Sequence, residues 1–259
     1  MWYDVRCIGV RDCLDACPED ALELTPDGMC IDRQRCTACG ACADACPAGA
    51  LEIIGREWTA AALFAEVEKD LTFYETSGGG VTLSGGEPMT QVDFVVALAQ
   101  LCREAEIHVA LDTCGIVVWE RYERVLPLVD LVLYDLKVFD GGRHRASTGV
   151  DNGIILENAR RIAATGKPMW IRTPIIPGHT ADEDNIAALG DFIATELPAV
   201  ERWDLLAYTN LGQPKYCRLD LPYSLEGAPL LTAAEMEALH AIAVRRVPVA
   251  VWSGATRQE

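Results

Sequence analysis

The chain is poor in positive charge, in long apolar runs and, past residue 46, in cysteine. Lysine and arginine number 22 against 39 aspartate and glutamate, a formal net charge of -17 over 259 residues. Nucleic acid and anionic membranes both need clustered cations, so this balance argues against either as a partner and suits a basic partner surface better. No apolar run reaches the roughly 20 residues that span a bilayer. The start, MWYDVRC, has neither the basic residues nor the apolar core of an export signal. Those absences predict a cytoplasmic protein. In a reducing cytoplasm its eleven cysteines would serve metal ligation and not disulfides. What is present fits a globular chain, with 50% hydrophobic and 24% charged residues. The length suits one barrel-sized domain with a small appendage.

Eight of the cysteines lie at or before Cys46; only Cys102, Cys114 and Cys217 follow, and these read as core or loop thiols. The run Cys36-Thr37-Ala38-Cys39-Gly40-Ala41-Cys42-Ala43-Asp44-Ala45-Cys46-Pro47 has the spacing C-x2-C-x2-C-x3-C-P, the run of bacterial ferredoxins that hold [4Fe–4S] clusters. Three thiolates reach three irons of one cluster while the fourth points to a second cluster. The small residues Ala38, Gly40 and Ala41 let backbone N–H groups approach the sulfides.

The same pattern occurs twice. Arg6-Cys7, Cys13-Leu14-Asp15-Ala16-Cys17-Pro18 and Ala21-Leu22-Glu23-Leu24 recur 29 positions later as Arg35-Cys36, Cys42-Ala43-Asp44-Ala45-Cys46-Pro47 and Ala50-Leu51-Glu52-Ile53. Two such halves make a pseudo-symmetric two-cluster module in which each half lends its last cysteine to the other cluster. One cluster then takes Cys17, Cys36, Cys39 and Cys42. The other takes Cys7, Cys13 and Cys46, with Val10 standing where the repeat requires a fourth cysteine. Three outcomes are open for that site: a [3Fe–4S] cluster, a [4Fe–4S] cluster with its odd iron on Asp12, water or another ligand, or an empty site. Cys30, in the apparent strand Met29-Cys30-Ile31, is expected to be a small buried hydrophobe.

From residue 55 the pattern becomes short aliphatic runs alternating with helical stretches. Strands are predicted at 81–84, 108–111, 131–134, 169–172, 203–206 and 247–252. Helices are predicted at 57–70, 91–103, 119–125, 156–164, 184–196 and 233–244. Such alternation implies a parallel sheet, doubly wound or closing towards a barrel. Chemistry in these folds sits at the C-terminal ends of the strands, where this chain places Ser84-Gly85-Gly86-Glu87-Pro88, Asp112-Thr113, Asp135-Leu136-Lys137, Arg172-Thr173 and Tyr208-Thr209-Asn210.

The motifs SGGGVTLSGGEP, DTCG, DLVLYDLK, WIRTPIIPG and LLAYTNLG, in this order behind a ferredoxin repeat, closely resemble the activating enzymes of glycyl radical enzymes, members of the radical S-adenosylmethionine (SAM) superfamily. The resemblance implies a ferredoxin-like module over residues 1–54 and a partial parallel (β/α) barrel of radical SAM type, lacking its first strand, over 55–259. It implies [4Fe–4S] clusters and SAM as cofactors, with a low-potential donor such as flavodoxin or ferredoxin supplying electrons. Reductive cleavage of SAM would yield a 5'-deoxyadenosyl radical that abstracts hydrogen from a backbone glycine of the partner enzyme. By motif, Gly85, Gly86, Glu87 and Pro88 match the segment at the methionyl amino group, with Glu87 offering an anion to it. Asp112 and Thr113 match positions at the SAM carboxylate and a nearby cation site, Asp135 and Lys137 the Asp-x-Lys element of the same pocket, and Arg172 an arginine at the SAM end.

Two departures accompany the match. Thr209 stands where family members usually carry a histidine. The C-x3-C-x2-C loop that ligates the SAM-chelating cluster does not occur in the sequence. The expectation is therefore an enzyme read from a shortened gene model, inactive as written, the alternative being a non-catalytic electron-transfer or SAM-binding relative.

Overall fold

The structure, a computed structural model, describes residues 1–219 and 221–258. The chain forms two compact units. Met1–Glu57 and Asn210–Ala228 make the first; Trp58–Thr209 and Pro229–Glu259 make the second.

In the first unit, helix α1 (Asp12–Asp15) precedes the antiparallel hairpin β1 (Leu22–Thr25) and β2 (Gly28–Ile31), and helix α2 (Ala41–Asp44) follows. The two short helices are 29 residues apart at both ends, so the sequence repeat is a structural repeat. The strand pairing repeats too: the bridge Trp2↔Leu51 is the counterpart, by the same offset, of the pair Leu22↔Ile31. A small apolar cluster of Cys13, Met29 and Leu51 lies between the halves. Cys30 is exposed, contrary to expectation. Strand parity decides this: Met29 takes the inward face of β2, so Cys30 must point out.

The second unit runs α3 (Ala60–Val67), α4 (Leu71–Ser77), β3 (Gly80–Leu83), α5 (Val92–Glu104), β4 (His108–Thr113), α6 (Trp119–Val125), β5 (Leu131–Asp135), α7 (Gly141–Thr148), α8 (Gly153–Ala164), β6 (Met169–Ile175), α9 (Glu183–Glu196) and β7 (Val200–Ala207). Helix α10 (Gln213–Arg218) belongs to the first unit, and α11 (Ala233–Val244) and β8 (Ala250–Ser253) complete the second. The six strands β3 to β8 form one parallel sheet in sequence order; the alternation implied the parallel sheet, and the family resemblance its partial-barrel form. Strand β3 is an edge with β4 as its neighbour.

Strand parity divides the sheet. Leu111, Thr113, Val132, Tyr134, Ile171 and Thr173 are buried on the helix side, in a core that includes Val95, Leu98, Ala99 and Cys102 from one face of α5. Asp112, Asp135 and Arg172 alternate to the opposite, half-exposed face. Strand β6 continues past the expected end at Arg172 through Pro174. Its pairing with β5 ends at Asp135↔Arg172, so beyond that point one side of β6 is free and the missing proline N–H leaves no ladder position empty. Helix α7, GGRHRAST, has little helix propensity and lies outside the predicted helices; Asp140 caps it by accepting from Arg143 N at 2.8 Å. Among the described residues no helix is long and apolar enough to cross a membrane.

Candidate functional site

Each unit carries one group of predicted site residues. In the first, the turns that follow the two Cys-Pro pairs set the sulfur positions. Cys17 Sγ accepts from Ala21 N at 3.3 Å and Cys46 Sγ from Ala50 N at 3.2 Å, the same four-residue step in each half. Burial opposes ionisation of Cys46, but the N–H groups of Ala50, Leu51, Ala48 and Gly49 outweigh it and hold the thiol below its ordinary value. Burial, then the neighbouring Cys46, raises Cys13, and burial raises Cys42.

Cys17, Cys36, Cys39 and Cys42 line one cavity of about 90 Å³. Cys7, Cys13 and Cys46 line another of about 10 Å³, with Val10 beside them. The sets are those the repeat predicts, each with one cysteine exchanged from the opposite half. Among the described residues no three His, Cys, Asp or Glu side chains are placed to hold a single metal ion, as structural zinc would require. Sulfur atoms ringing a cavity suit a cluster, where each thiolate takes a different iron. A buried donor points the same way: Trp2 Nε1 is the one buried side-chain polar atom without a hydrogen-bond partner among the described residues, and Trp2 lines the second cavity. The donor sets therefore fit iron–sulfur clusters.

In the second unit, Ser84, Asp112, Asp135, Lys137 and Arg172 meet at the C-terminal ends of β3 to β6. Arg172 is bonded to Asp112 and, through Nη2 at 2.9 Å and Nε at 3.2 Å, to Asp135 Oδ1. Ser84 Oγ donates to Asp112 Oδ2 at 2.9 Å, and Lys137 Nζ lies 3.3 Å from Asp135 Oδ2. The register explains the convergence, since Asp135 pairs with Arg172 across β5 and β6. All four charged side chains are one-third exposed or less, so they form a polar patch facing solvent on one side only. Gly85 and Gly86 are exposed beside it, with open space where a Cβ would stand.

Glu87, expected to offer an anion to the methionyl ammonium, is also held by donors of its own chain. Its Oε1 accepts from Met89 N at 3.1 Å and its Oε2 from Cys114 N at 2.8 Å, while Thr113 Oγ1 lies 2.9 and 3.0 Å from the two oxygens. Thr113 is backed in turn by Tyr122 OH at 2.8 Å, fully buried in α6. The Glu87 carboxylate thus ties the loop after β3 to the end of β4. Burial and the adjacent Glu87 push the Cys114 thiol up to about 11, and burial raises Tyr122. Gly115 completes the turn: its φ of +81° and the Tyr134 hydroxyl 1.8 Å from where a Cβ would stand leave room for glycine alone. Pro88 is buried at the start of the following turn and fixes its direction.

Sequence reasoning missed Arg202 and Asp204. Asp204 lies beside Arg172 in the β6–β7 register, is buried to 6% exposure and is held by Arg202 through bonds of 2.7 to 2.9 Å. The available signal was Asp204 itself, a carboxylate between Trp203 and Leu205 with Arg202 two positions before it on the same face. His179 is exposed in the loop after β6, where its N–H donates to Ile176 O and its carbonyl accepts from Arg143 Nη2 at 3.2 Å. Thr209 follows β7 and makes no contact with the charged patch among the described interactions.

Comparison with known proteins bears on both units. The model of the radical SAM superfamily matches residues 33–190, and that of the 4Fe-4S dicluster domain matches residues 6–50. The trans-4-hydroxy-L-proline dehydratase activating enzyme of Clostridioides difficile is 39% identical over 236 residues, 91% of this chain and 78% of that protein. The (2S)-3-sulfopropanediol sulfolyase activating enzyme of Bilophila wadsworthia is 41% identical over 217 residues, 83% of this chain and 71% of its own. Among solved structures, a domain of pyruvate-formate lyase-activating enzyme from Bacteroides vulgatus superposes with a TM-score of 0.58 at 30% identity, covering 68% of this chain and 99% of that one.

Proposed function

The chain belongs to the radical SAM superfamily, among the activating enzymes of glycyl radical enzymes, and from that premise we propose that it binds SAM at the ends of β3 to β6 and holds two clusters in its first unit. Its macromolecular substrate is the glycine-bearing segment of a glycyl radical enzyme, and a low-potential carrier such as flavodoxin or ferredoxin supplies the electrons. When bound, the clusters supply one-electron transfer and SAM, once reduced, the hydrogen abstraction from glycine, chemistry that side chains cannot provide.

The residues themselves bind and orient. Cys17, Cys36, Cys39 and Cys42 hold one cluster; Cys7, Cys13 and Cys46 hold the other. The backbone carbonyls around Gly85 and Gly86, with no side chain in the way, accept from the methionyl ammonium. Lys137 donates to a carboxylate or ribose oxygen. Asp112 and Asp135, held still by Arg172, present fixed acceptors on the same face. Two carboxylates and two cations leave the patch formally neutral, which suits a ligand that carries both signs. Glu87, Thr113 and Tyr122 act from behind by fixing the glycine loop. The sequence contains no C-x3-C-x2-C triplet, so no residue here is assigned to the SAM-chelating cluster. SAM binding and iron loading are the properties expected of these residues, and radical formation that of a polypeptide which also carries the triplet.

The observation that carries this reading is the quartet Asp112, Arg172, Asp135 and Lys137 on one face beside the open Gly85-Gly86 loop. Isothermal titration of the anaerobically reconstituted chain with SAM tests it. One site per chain is expected, weakened by about tenfold or more in Lys137→Ala, the loss of about 1.4 kcal/mol or more. Absence of binding, or wild-type affinity in both Lys137→Ala and Asp112→Ala, overturns it.

A further inference from the structure

The two cavities of the first unit are related position by position, and this makes their one difference in donor atoms informative. The offset of 29 residues maps α1 onto α2 and the Cys17–Ala21 hydrogen bond onto Cys46–Ala50. It also pairs residues with left-handed backbone: Gly9 (φ +79°) with Ala38 (φ +55°), and Asp20 (φ +45°) with Gly49 (φ +58°). The chain therefore follows the same path through both halves, and Val10 occupies the place that Cys39 occupies in the other. Val10 lines the smaller cavity with Cys7, Cys13 and Cys46.

No other side chain among the described residues supplies the missing donor. Asp12, the nearest carboxylate in sequence, opens α1, is exposed and does not line this cavity. Cys30, the spare thiol, lines a separate surface depression with Asp20, Glu23, Asp32 and Arg35. Apart from the three cysteines and Val10, the side chains around the cavity are Trp2, Ile8, Met29, Ala48, Ala50 and Leu51. None carries a carboxylate, imidazole or hydroxyl, and the Met29 thioether packs in the apolar cluster with Cys13 and Leu51. The counterpart cavity is larger and includes Thr37, Glu19, Arg33 and Glu52.

We propose that Cys7, Cys13 and Cys46 hold a [3Fe–4S] cluster whose vacant corner faces Val10, while Cys17, Cys36, Cys39 and Cys42 hold a [4Fe–4S] cluster. The inference rests on the two-cluster reading of residues 1–57 and goes beyond it by making the two sites chemically unequal. A fourth iron at the Val10 corner would have sulfides and solvent as its only ligands. One-electron oxidation by ferricyanide releases it: [4Fe–4S]2+ becomes [3Fe–4S]+, Fe2+ and one electron, which ferricyanide accepts to become ferrocyanide. At the other site Cys39 holds the corresponding iron in place. The Trp2 Nε1–H, without a partner among the described residues, is available to a sulfide of the three-iron cluster. Cluster type and such hydrogen bonds are levers on potential, so the two sites accept electrons at different potentials.

The test is electron paramagnetic resonance with iron analysis on the whole chain, reconstituted with iron and sulfide without oxygen and then treated with one equivalent of ferricyanide. Wild type is expected to show the S = 1/2 signal of an oxidised three-iron cluster at about one spin per chain, with about seven irons. Val10→Cys is expected to lose the signal and hold about eight. Val10→Ala and Asp12→Ala are expected to keep it. Eight irons without the signal in wild type, an unchanged signal in Val10→Cys, or conversion of the cluster in Asp12→Ala each overturn the inference while leaving the two-cluster reading intact. A chain that takes up no iron overturns both.

Discussion

The charged patch of the sheet and the cysteine cavities of the small unit differ in what the polypeptide completes by itself. At the strand ends, Arg172 is bonded to Asp112 and Asp135, Ser84 to Asp112, and Glu87 to Thr113, Met89 and Cys114. In the small unit, the thiols of each set line a cavity together, and among the described residues the indole N–H of Trp2 has no partner. The first site is preorganised by protein–protein bonds over a large core. The second has a buried apolar cluster of three residues, far too little to hold so short a segment without a staple. Ligand binding should therefore refine the sheet site, and cluster binding should create the small unit.

Removal of iron gives the sharpest contrast. Stripping the clusters with a chelator is expected to expose residues 1–57 to proteolysis throughout, while the sheet fragment resists; limited digestion with mass spectrometry reads this, and equal protection of both regions would erase the distinction. Next in size, Arg172→Ala leaves Asp112 and Asp135 facing each other without their cation. Because the group is partly solvated, the loss is smaller than the 3–5 kcal/mol of a fully buried pair; a cost of about 1–3 kcal/mol is expected by denaturant titration. SAM affinity should fall with it, and cluster content should not. A smaller effect is expected from Tyr122→Phe, which removes the hydrogen bond behind Thr113 and should cost about 1 kcal/mol. Its readout is a weaker SAM affinity with unchanged iron content.

The mildest test is alkaline pH. Cys114 is raised to about 11 from an ordinary value of 9.0. The folded thiol keeps its proton where the unfolded one has lost it, so its contribution is complete below pH 9 and declines as the pH rises to about 11. The melting temperature of the sheet unit should fall over that window by less in Cys114→Ala than in wild type; an identical fall in both would remove Cys114 from the account.

Legibility in the sequence followed the same division. The cysteine spacing and the 29-residue offset identified both cavity sets, because ligand number and chain path are encoded locally by each turn. The six strands and their polar ends were legible from alternation, and parity then placed Asp112, Asp135 and Arg172 on one face. Non-local facts were not legible. That α10 and its neighbours join the first unit depends on contacts such as Trp2 N with Arg218 O at 3.1 Å and Arg33 with Leu219 O at 2.6 Å, across nearly the whole chain. Glu87 was legible as a site residue but not as a brace, since its partners Thr113 and Cys114 come from the next strand. Asp204 was hidden inside an apolar run whose register with β6 no local pattern reveals.

The 29-residue offset has a last consequence, for the direction of traffic. Two identical halves would give an electron two stations of equal energy, and it would dwell on either with no preference. On the proposal that Val10 leaves one cluster a corner short, the stations become unequal and the path acquires a slope. On that proposal a duplication supplies the wire, and its divergence at Val10 is one of the differences that tilt it.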